Sequence, residues 1–299
     1  MTDVGFIGLG TMGGPMAMNV LKKGHRLTVF DVSPKAVARL TAAGARSADS
    51  PRAVAAASDV VITMLPDAPD VERVALGADG IAAGIRPGAI YIDMSTVDPD
   101  TTQNVARTIA AKGAHMIDSP VGKTAEHAVS GTLTLMVGGP QDIVARARPV
   151  LDCMGTDFIH CGALGMGHAM KIVNNLLATT LLEINSEVLA AGIKAGLTLD
   201  TMTAVMQKTM AWNNQLAVAM PARPFAGDFA PGFMLKLAHK DCRLALTMIR
   251  KLGLAAPVGE ATLAACADGI AQGAGENDVG VLLKLREERA GVTVRKTKP

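Results

Sequence analysis

Aromatic side chains are nearly missing from this chain: they make up 3% of its 299 residues, with one Trp and one Tyr. A core of that composition is built from Ala, Val, Leu, Ile and Met, and the 17 Met read as gap-fillers between helices. The shortage also removes the stacking platforms of a single-strand nucleic-acid binder. The formal net charge is only +2, with both signs interspersed, which leaves no basic stripe for a duplex, so no nucleic-acid partner is expected. The cysteines Cys153, Cys161, Cys242 and Cys266 form no CxxC pair, and no His completes a metal set beside them. They read as buried thiols in a reducing compartment, with no metal cofactor. No basic n-region with a cleavage site opens the chain, and no apolar run looks long enough to span a bilayer. These absences predict a cytoplasmic protein with no membrane partner. The basic end, residues 295–299, reads as a frayed, solvated terminus.

What is there suffices for about two domains on length alone. The chain is 49% hydrophobic and 19% charged, so each domain can bury a core. Val4-Gly5-Phe6-Ile7 is a short apolar run, followed at once by Gly8-Leu9-Gly10-Thr11-Met12-Gly13-Gly14-Pro15. This is G-x-G-x-x-G between a strand and a helix, with Pro15 in the tolerated first turn. A second strand, 26–30, ends on Asp31, about 20 residues beyond the first glycine. Each residue has a physical task in that arrangement. Gly8 makes the tight turn, Gly10 lets the backbone approach a pyrophosphate, and Gly13 allows close helix–strand packing. The helix start offers unpaired N–H groups and partial positive charge. Asp31 meets the ribose: a carboxylate there bonds a free 2′-hydroxyl and repels a 2′-phosphate. The residues that follow it, Val32-Ser33-Pro34, bring no Arg, so NAD is expected over NADP.

The alternation continues with helices at 34–43 and 50–57, a strand at 59–65 ending at Leu65-Pro66, and a strand at 89–92 running into Ser95-Thr96. A helix at 99–112, a strand at 115–117, a strand at 132–137, a helix at 141–154 and a strand at 158–159 follow. Strands alternating with helices predict an α/β domain with a parallel, doubly wound sheet of Rossmann type, whose ligands sit beyond the C-terminal strand ends. Leu65-Pro66, Ser95-Thr96 and Gly122-Lys123-Thr124 all fall there. From Gly165 onward only helices are expected: 169–195, 199–208, 213–219, 233–252, 257–272 and 279–288. The composition shift near Cys161 to Gly165 divides the chain into 1–164, a dinucleotide-binding domain, and 165–299, a helical domain opened by the long helix at about 169–195.

That long helix starts in Gly165-Met166-Gly167 and carries Lys171 and Asn175 four residues apart, on one face. An amine beside a carboxamide at the start of an otherwise apolar helix suits a small anionic carbonyl substrate.

Four motifs in order resemble the β-hydroxyacid dehydrogenase family, whose members include 3-hydroxyisobutyrate dehydrogenase and tartronate semialdehyde reductase. They are Phe6-Ile7-Gly8-Leu9-Gly10-Thr11-Met12-Gly13, Asp118-Ser119-Pro120-Val121, Gly165-x-Gly167-x-x-x-Lys171-x-x-Asn174-Asn175, and Ala238-His239-Lys240-Asp241. Position by position, the resemblance implies that Lys171 is the catalytic lysine and Asn175 the orienting amide. It implies that Lys240 lies near the nicotinamide, with Asp241 following it, and that Ser95-Thr96 and Leu65-Pro66 are the loops beside the nicotinamide and the adenosine half. It further implies a homodimer or homotetramer. Where the family usually continues Ser-Gly-Gly, this chain has Gly122-Lys123-Thr124. That triplet resembles the branch reducing 3-sulfolactaldehyde, which carries Gly-Arg-Thr. The implied substrate set is a short anionic aldehyde or its hydroxy acid, bound by Ser95, Gly122, Lys123, Thr124, Asn174, Asn175 and Asp241. Sulfonate is the first expectation, and the alternatives are 3-hydroxyisobutyrate, tartronate semialdehyde and 4-hydroxybutyrate chemistry. Lys offers a point charge where Arg offers a planar fork. Two further readings stay open: a histidine-based dehydrogenase using His168, and a non-catalytic dinucleotide sensor, for which Lys171 with Asn175 would be superfluous.

Overall fold

The computed structural model describes residues 1–295; residues 296–299, most of the basic end, lie outside the described residues. Two compact units emerge, Met1–Ile172 and Val173–Pro299.

The first unit runs β1 (Asp3–Ile7), α1 (Gly13–Lys22), β2 (Arg26–Phe30), α2 (Pro34–Thr41), β3 (Arg46–Ser47), α3 (Pro51–Ala56), β4 (Val60–Thr63), α4 (Ala68–Leu76), α5 (Ile81–Gly84), β5 (Ile90–Asp93), α6 (Pro99–Ala110), β6 (His115–Asp118), β7 (Val121–Gly122), α7 (Ala125–Ser130), β8 (Leu133–Gly138), α8 (Gln141–Leu151) and β9 (Gly155–Gly162). It ends in the first turns of α9 (Met166–Lys194). Helix starts follow a repeated local recipe, an oxygen-bearing cap followed by proline at the first helical position. The Ser33 hydroxyl accepts from Ala36 N, that of Ser50 from Ala53 N, and the Asp98 carboxylate from Asp100 and Thr101 N, and each is followed by Pro.

The strands form one sheet in the order β3-β2-β1-β4-β5-β6-β8-β7, with β9 on β8. From β3 to β6 every pairing is parallel, as the alternation predicts. The far edge departs from that expectation: β8 runs antiparallel to β6 and β7, and only β9 is parallel to it. The short β7–α7 excursion returns the chain to the end of the sheet that β6 has just left, so β8 enters reversed. Local pattern does not announce β3, β7, α4, α5 and α7. Most are too short to show a period, because two-residue strands and single-turn helices carry no repeat. Successive residues of each strand point to opposite faces. Val4, Phe6, Ile62, Ile90 and Ile92 thus join one apolar cluster, while Ile7, Val61 and Tyr91 join the other. The order reverses at β1, flanked by β2 and β4, and the glycine loop leaves the C-terminal end of that strand.

The second unit contains the rest of α9, α10 (Leu199–Met206), a π-helical turn (Gln215–Ala219), α11 (Met220–Ala222), a 3₁₀ turn (Pro224–Ala226), α12 (Leu235–Lys251), α13 (Pro257–Ala271) and α14 (Val281–Ala290). The expected helix at 213–219 is a π turn instead. Asn213 accepts the Gln215 and Leu216 N–H groups on its side chain and exchanges two amide hydrogen bonds with Asn185. Leu182, Leu189, Leu199, Met220, Leu235 and Leu282 are among the apolar residues of its core.

Helix α9 also corrects the expectation that no segment could span a bilayer: by length and composition alone it is long and apolar enough to cross a membrane. Polar residues about once per turn hide this from a search for unbroken runs. Five of them (Asn175, Thr179, Glu183, Asn185 and Ser186) are buried here against protein. Glu183 receives the Nε of Arg286 at 2.7 Å. Burial pushes its carboxyl up, and Arg286 pulls it back down. Breaking one side of such a pair leaves an uncompensated buried charge. Arg286→Met is therefore expected to lower the unfolding free energy by about 3 kcal/mol in urea titrations at neutral pH. That deficit should shrink as pH falls toward the ordinary glutamate range, because the orphaned carboxyl then protonates, and a deficit independent of pH would contradict this account.

Candidate active site

The glycine loop is built from three different constraints. Gly8 has φ +91°, and a Cβ there would lie 2.3 Å from Met64 O. A Cβ on Gly13 would lie 2.0 Å from Gly8 O, so α1 can pack on the loop only without one. Gly10 is different: a Cβ there meets nothing within 4 Å. Nothing inside the protein requires that glycine, so its value lies in the room it leaves for a ligand. Helix α1 begins just beyond Leu9, Thr11 and Met12, with no side-chain cap and no acid in its first turn, so its positive end is available to an anion. A dinucleotide pyrophosphate fits this cradle. Asp31, at the end of β2, accepts from Leu9 N at 2.6 Å and from Ser33 N at 2.7 Å. It ties the loop to the neighbouring strand end where a ribose would meet it. Arg39 on α2, which no sequence motif singles out, donates to Leu9 O at 3.3 Å. Two of the other expected cofactor loops are knitted together, since Leu65 N donates to Ser95 Oγ at 2.9 Å. Ser95 is fully buried, Thr96 half-buried and Pro66 exposed.

The start of α9 is fixed by Asp118, the last residue of β6. Its carboxylate accepts from Gly165 N at 2.6 Å and His168 N at 2.7 Å, capping two donors that a helix start leaves unpaired. Gly165 has φ +91°, and a Cβ on Gly167 would lie 2.3 Å from Met136 O and 2.7 Å from Asp118 Oδ2. The Gly-x-Gly that opens the long helix is thus a turn followed by a close approach to the sheet. The sequence motif contains Asp118 without revealing its capping role. An acid at a strand end, followed far along the chain by Gly-x-Gly at a helix start, is the signal that could have suggested it.

Lys171 is half-buried on α9, one turn before Asn175. Asn175 is 8% exposed, and its orientation is set on both sides: its Nδ2 donates to Asp241 Oδ2 at 2.6 Å, and its Oδ1 accepts from Asn174 Nδ2 at 3.2 Å. Lys240 Nζ lies 3.3 Å from Asp241 Oδ1. Asp241 thus serves as the carboxylate that orients Asn175 and pairs with Lys240.

Gly122 pairs with Thr134 across β7 and β8, and Thr124, just before α7, makes no side-chain cap but has its hydroxyl 2.9 Å from His127 Nδ1. Between them Lys123 has φ +76°, the left-handed region, and among the described residues no other non-glycine residue does. Its ammonium donates to Thr132 O at 2.8 Å and to Asp157 Oδ2 at 2.6 Å. The Asp157 carboxyl is held below the usual range by that contact. Gly122 lies within β7 rather than beyond a strand end, and the lysine charge is compensated by an aspartate that no motif contains. His168, the candidate for histidine-based chemistry, is fully buried with Nδ1 2.6 Å from Thr102 Oγ1. It has no surface to offer a substrate.

The glycine loop yields a test with opposite outcomes at neighbouring positions. Gly10→Ala should leave the melting temperature within about 1 °C of wild type while weakening NADH binding at least tenfold, about 1.4 kcal/mol. Gly13→Ala should lower stability by about 2 kcal/mol or more through the clash with Gly8 O. Equal effects of the two on melting and on NADH fluorescence titration would refute the division of labour.

Comparison with known proteins agrees with this geometry. Residues 3–165 match the NAD binding domain of 6-phosphogluconate dehydrogenase, and residues 165–286 match the NAD-binding region of NADP-dependent 3-hydroxyisobutyrate dehydrogenase. The chain is 37% identical to the 3-sulfolactaldehyde reductase of Escherichia coli over 295 residues, covering 99% of both chains. It is 42% identical to the 3-hydroxyisobutyrate dehydrogenase of Pseudomonas aeruginosa over 265 residues, 87% of this chain and 89% of that one. Among solved structures, the Mycobacterium tuberculosis 3-hydroxyisobutyrate dehydrogenase with L-serine superposes with a TM-score of 0.89 at 32% identity, covering 95% of this chain and 99% of that one. The cradle at Gly10, the helix that carries Lys171 and Asn175, and these full-length likenesses lead to one conclusion: the chain belongs to the 3-hydroxyisobutyrate dehydrogenase-like family of nicotinamide-dependent hydroxyacid dehydrogenases.

Proposed function

We propose that the protein reduces a short anionic aldehyde to its alcohol, reversibly and with NADH, and that 3-sulfolactaldehyde is its substrate. The observation that carries the reaction class is the pairing of Lys171 and Asn175 one turn apart, with the Asn175 amide locked by Asp241. Bound nicotinamide supplies the hydride. Lys171 gives a proton to the carbonyl oxygen during reduction and takes it back during oxidation. Asn175, held by Asp241 and Asn174, keeps the substrate oxygen and the lysine in register. The backbone N–H groups around Gly122-Lys123-Thr124 and the loop at Ser95-Thr96 hold the anionic end. Asp31 supports NAD over NADP, since a carboxylate beside the glycine loop repels a 2′-phosphate.

Sulfonate is favoured by Gly122-Lys123-Thr124, which keeps a cationic side chain at the middle position, and by the full-length likeness to a 3-sulfolactaldehyde reductase. The ion pair of Lys123 with Asp157 favours a second reading, a carboxylate aldehyde gripped by neutral donors alone. The test is NADH oxidation with 3-sulfolactaldehyde beside methylmalonate, tartronate and succinic semialdehydes. A kcat/KM preference of tenfold or more for sulfolactaldehyde is expected, about 1.4 kcal/mol of transition-state discrimination. The same preference for a carboxylate would replace it with the second reading. Lys171→Ala should reduce turnover by roughly 10²–10⁴-fold, and retention of a tenth of wild-type turnover would refute the proton-donor role.

We further propose a self-associating protein, a homodimer or homotetramer. On α9, Val173, Leu177, Ile184 and Val188 are 43–60% exposed and recur at spacings of four, seven and four. That is an apolar stripe of helical spacing that the described residues leave about half exposed. Leu177→Glu with Ile184→Glu should yield a monomer by light scattering, and an unchanged mass would contradict this assignment.

A further inference from the structure

Asp93 ends β5 and Asp118 ends β6, opposite each other in register, and both are fully buried. Two carboxylates side by side in an apolar sheet need compensation. Asp118 finds it in the two N–H groups of α9. Asp93 is only half provided for. Its Oδ1 accepts from Thr63 Oγ1 at 2.8 Å and Ser95 N at 3.1 Å, while its Oδ2 is buried with no hydrogen bond. The His168 Nε2 is buried in the same condition, and the two atoms face each other at 3.8 Å. On the other side of the ring, Nδ1 sits 2.6 Å from Thr102 Oγ1 and 3.8 Å from Asp118 Oδ2.

We infer that the His168–Asp93 pair holds a proton on Nε2 aimed at Asp93, and that this contact is a positioning device for Lys171. If Nε2 were bare, two acceptor lone pairs would confront each other in a site closed to solvent, the costliest way to leave both groups. Thr102 also lies 3.3 Å from Asp98 O. The shorter of its two contacts is the one to Nδ1, so the ring is held from both sides. Around it, Asp93 faces it from β5, Asp118 from β6 and Thr102 from α6. Cys161 on β9 lies in the field of Asp118, and Tyr91 reaches Asp93 through Thr63.

The linkage is short at both ends. Asp93 stands two residues before Ser95, whose hydroxyl holds Leu65 N, so it governs the loop expected beside the nicotinamide. His168 stands three residues before Lys171, on the adjoining turn of the same face. The pair therefore fixes the end of β5 against the first turn of α9, and with it the lysine against the Ser95 loop. His168 touches no substrate, so it positions rather than reacts. The kinetic arm of the test rests on the reading of Lys171 given above.

The test compares His168→Gln, His168→Leu and Asp93→Asn in the full chain with NADH bound. Long-range proton–nitrogen spectra of the imidazoles, with the His168 signals identified by their loss in His168→Gln, are expected to show Nε2 protonated at pH 8. An unprotonated Nε2 would overturn the inference. His168→Leu should lower kcat roughly tenfold to a hundredfold, the scale of an ångström-sized misplacement, with NADH affinity within twofold of wild type. His168→Gln, whose amide can still present an N–H to Asp93, should recover to within about threefold. Equal activity of the Gln and Leu variants would overturn the positioning role. If His168→Leu does not fold, Asp93→Asn decides the same point: the His168 Nε2 proton signal should move from its wild-type position, and an unmoved signal counts against the pair. The spectra and NADH affinity need no aldehyde, so a wrong substrate reading is recognised separately, by wild-type silence on every aldehyde.

Discussion

The carboxylate of Asp118 accepts the N–H groups of Gly165 and His168 together, and much of the first unit's chemistry follows from that contact. It places the positive start of a 29-residue helix on the end of a parallel strand. A helix so anchored has its rotation set, because side chains a turn apart share one face. Once Gly167 is seated against Met136 O, the direction of Lys171 on the first turns of α9 is no longer a free choice. The glycines of that turn thus decide where Lys171 points, although neither carries a functional group.

The dinucleotide loop shows the same economy with a different division. Gly8 and Gly13 are demanded by the protein's own packing, through Met64 O and Gly8 O, whereas Gly10 is demanded only by something outside the chain. Three glycines that look alike in a motif therefore have unlike physical grounds. Asp31 has a double role of the same kind: it ties the loop through Leu9 N while standing where an acid meets a ribose. Charges elsewhere are treated consistently. Asp241 is coupled to Asn175 and Lys240, Glu183 to Arg286, and Lys123 to Asp157, so the ionic groups near the working residues mostly have partners that fix their direction.

Much of this was legible in the chain. The strand–glycine loop–helix–strand–acid order of residues 4–31, the long helix with Lys171 and Asn175, and the helical remainder rest on local periodicity and turn chemistry, which act over a few residues. The two-residue strands β3 and β7, the reversal of β8 and the π turn at Gln215–Ala219 were not legible. Each depends on a partner distant in sequence: Thr28 and Val29 for β3, Thr134 and Leu135 for β7, and Asn185 for the π turn. The apolar character of α9 was hidden for another reason, since polar residues once per turn break a run without changing the average.

The sequence by itself determined which residues could do chemistry and in what order along the chain, because a glycine's freedom, a proline's fixed φ and a four-residue helical spacing are local properties. Tertiary structure alone decided what those residues face. It turned Asp118 from a motif letter into a helix cap, paired Lys123 with Asp157 across 34 positions, and enclosed His168 between Asp93 and Asp118. The reason is physical: a charge has no preferred partner until folding removes water from around it, and which partner it then meets depends on strand register and helix rotation rather than on neighbours in the chain.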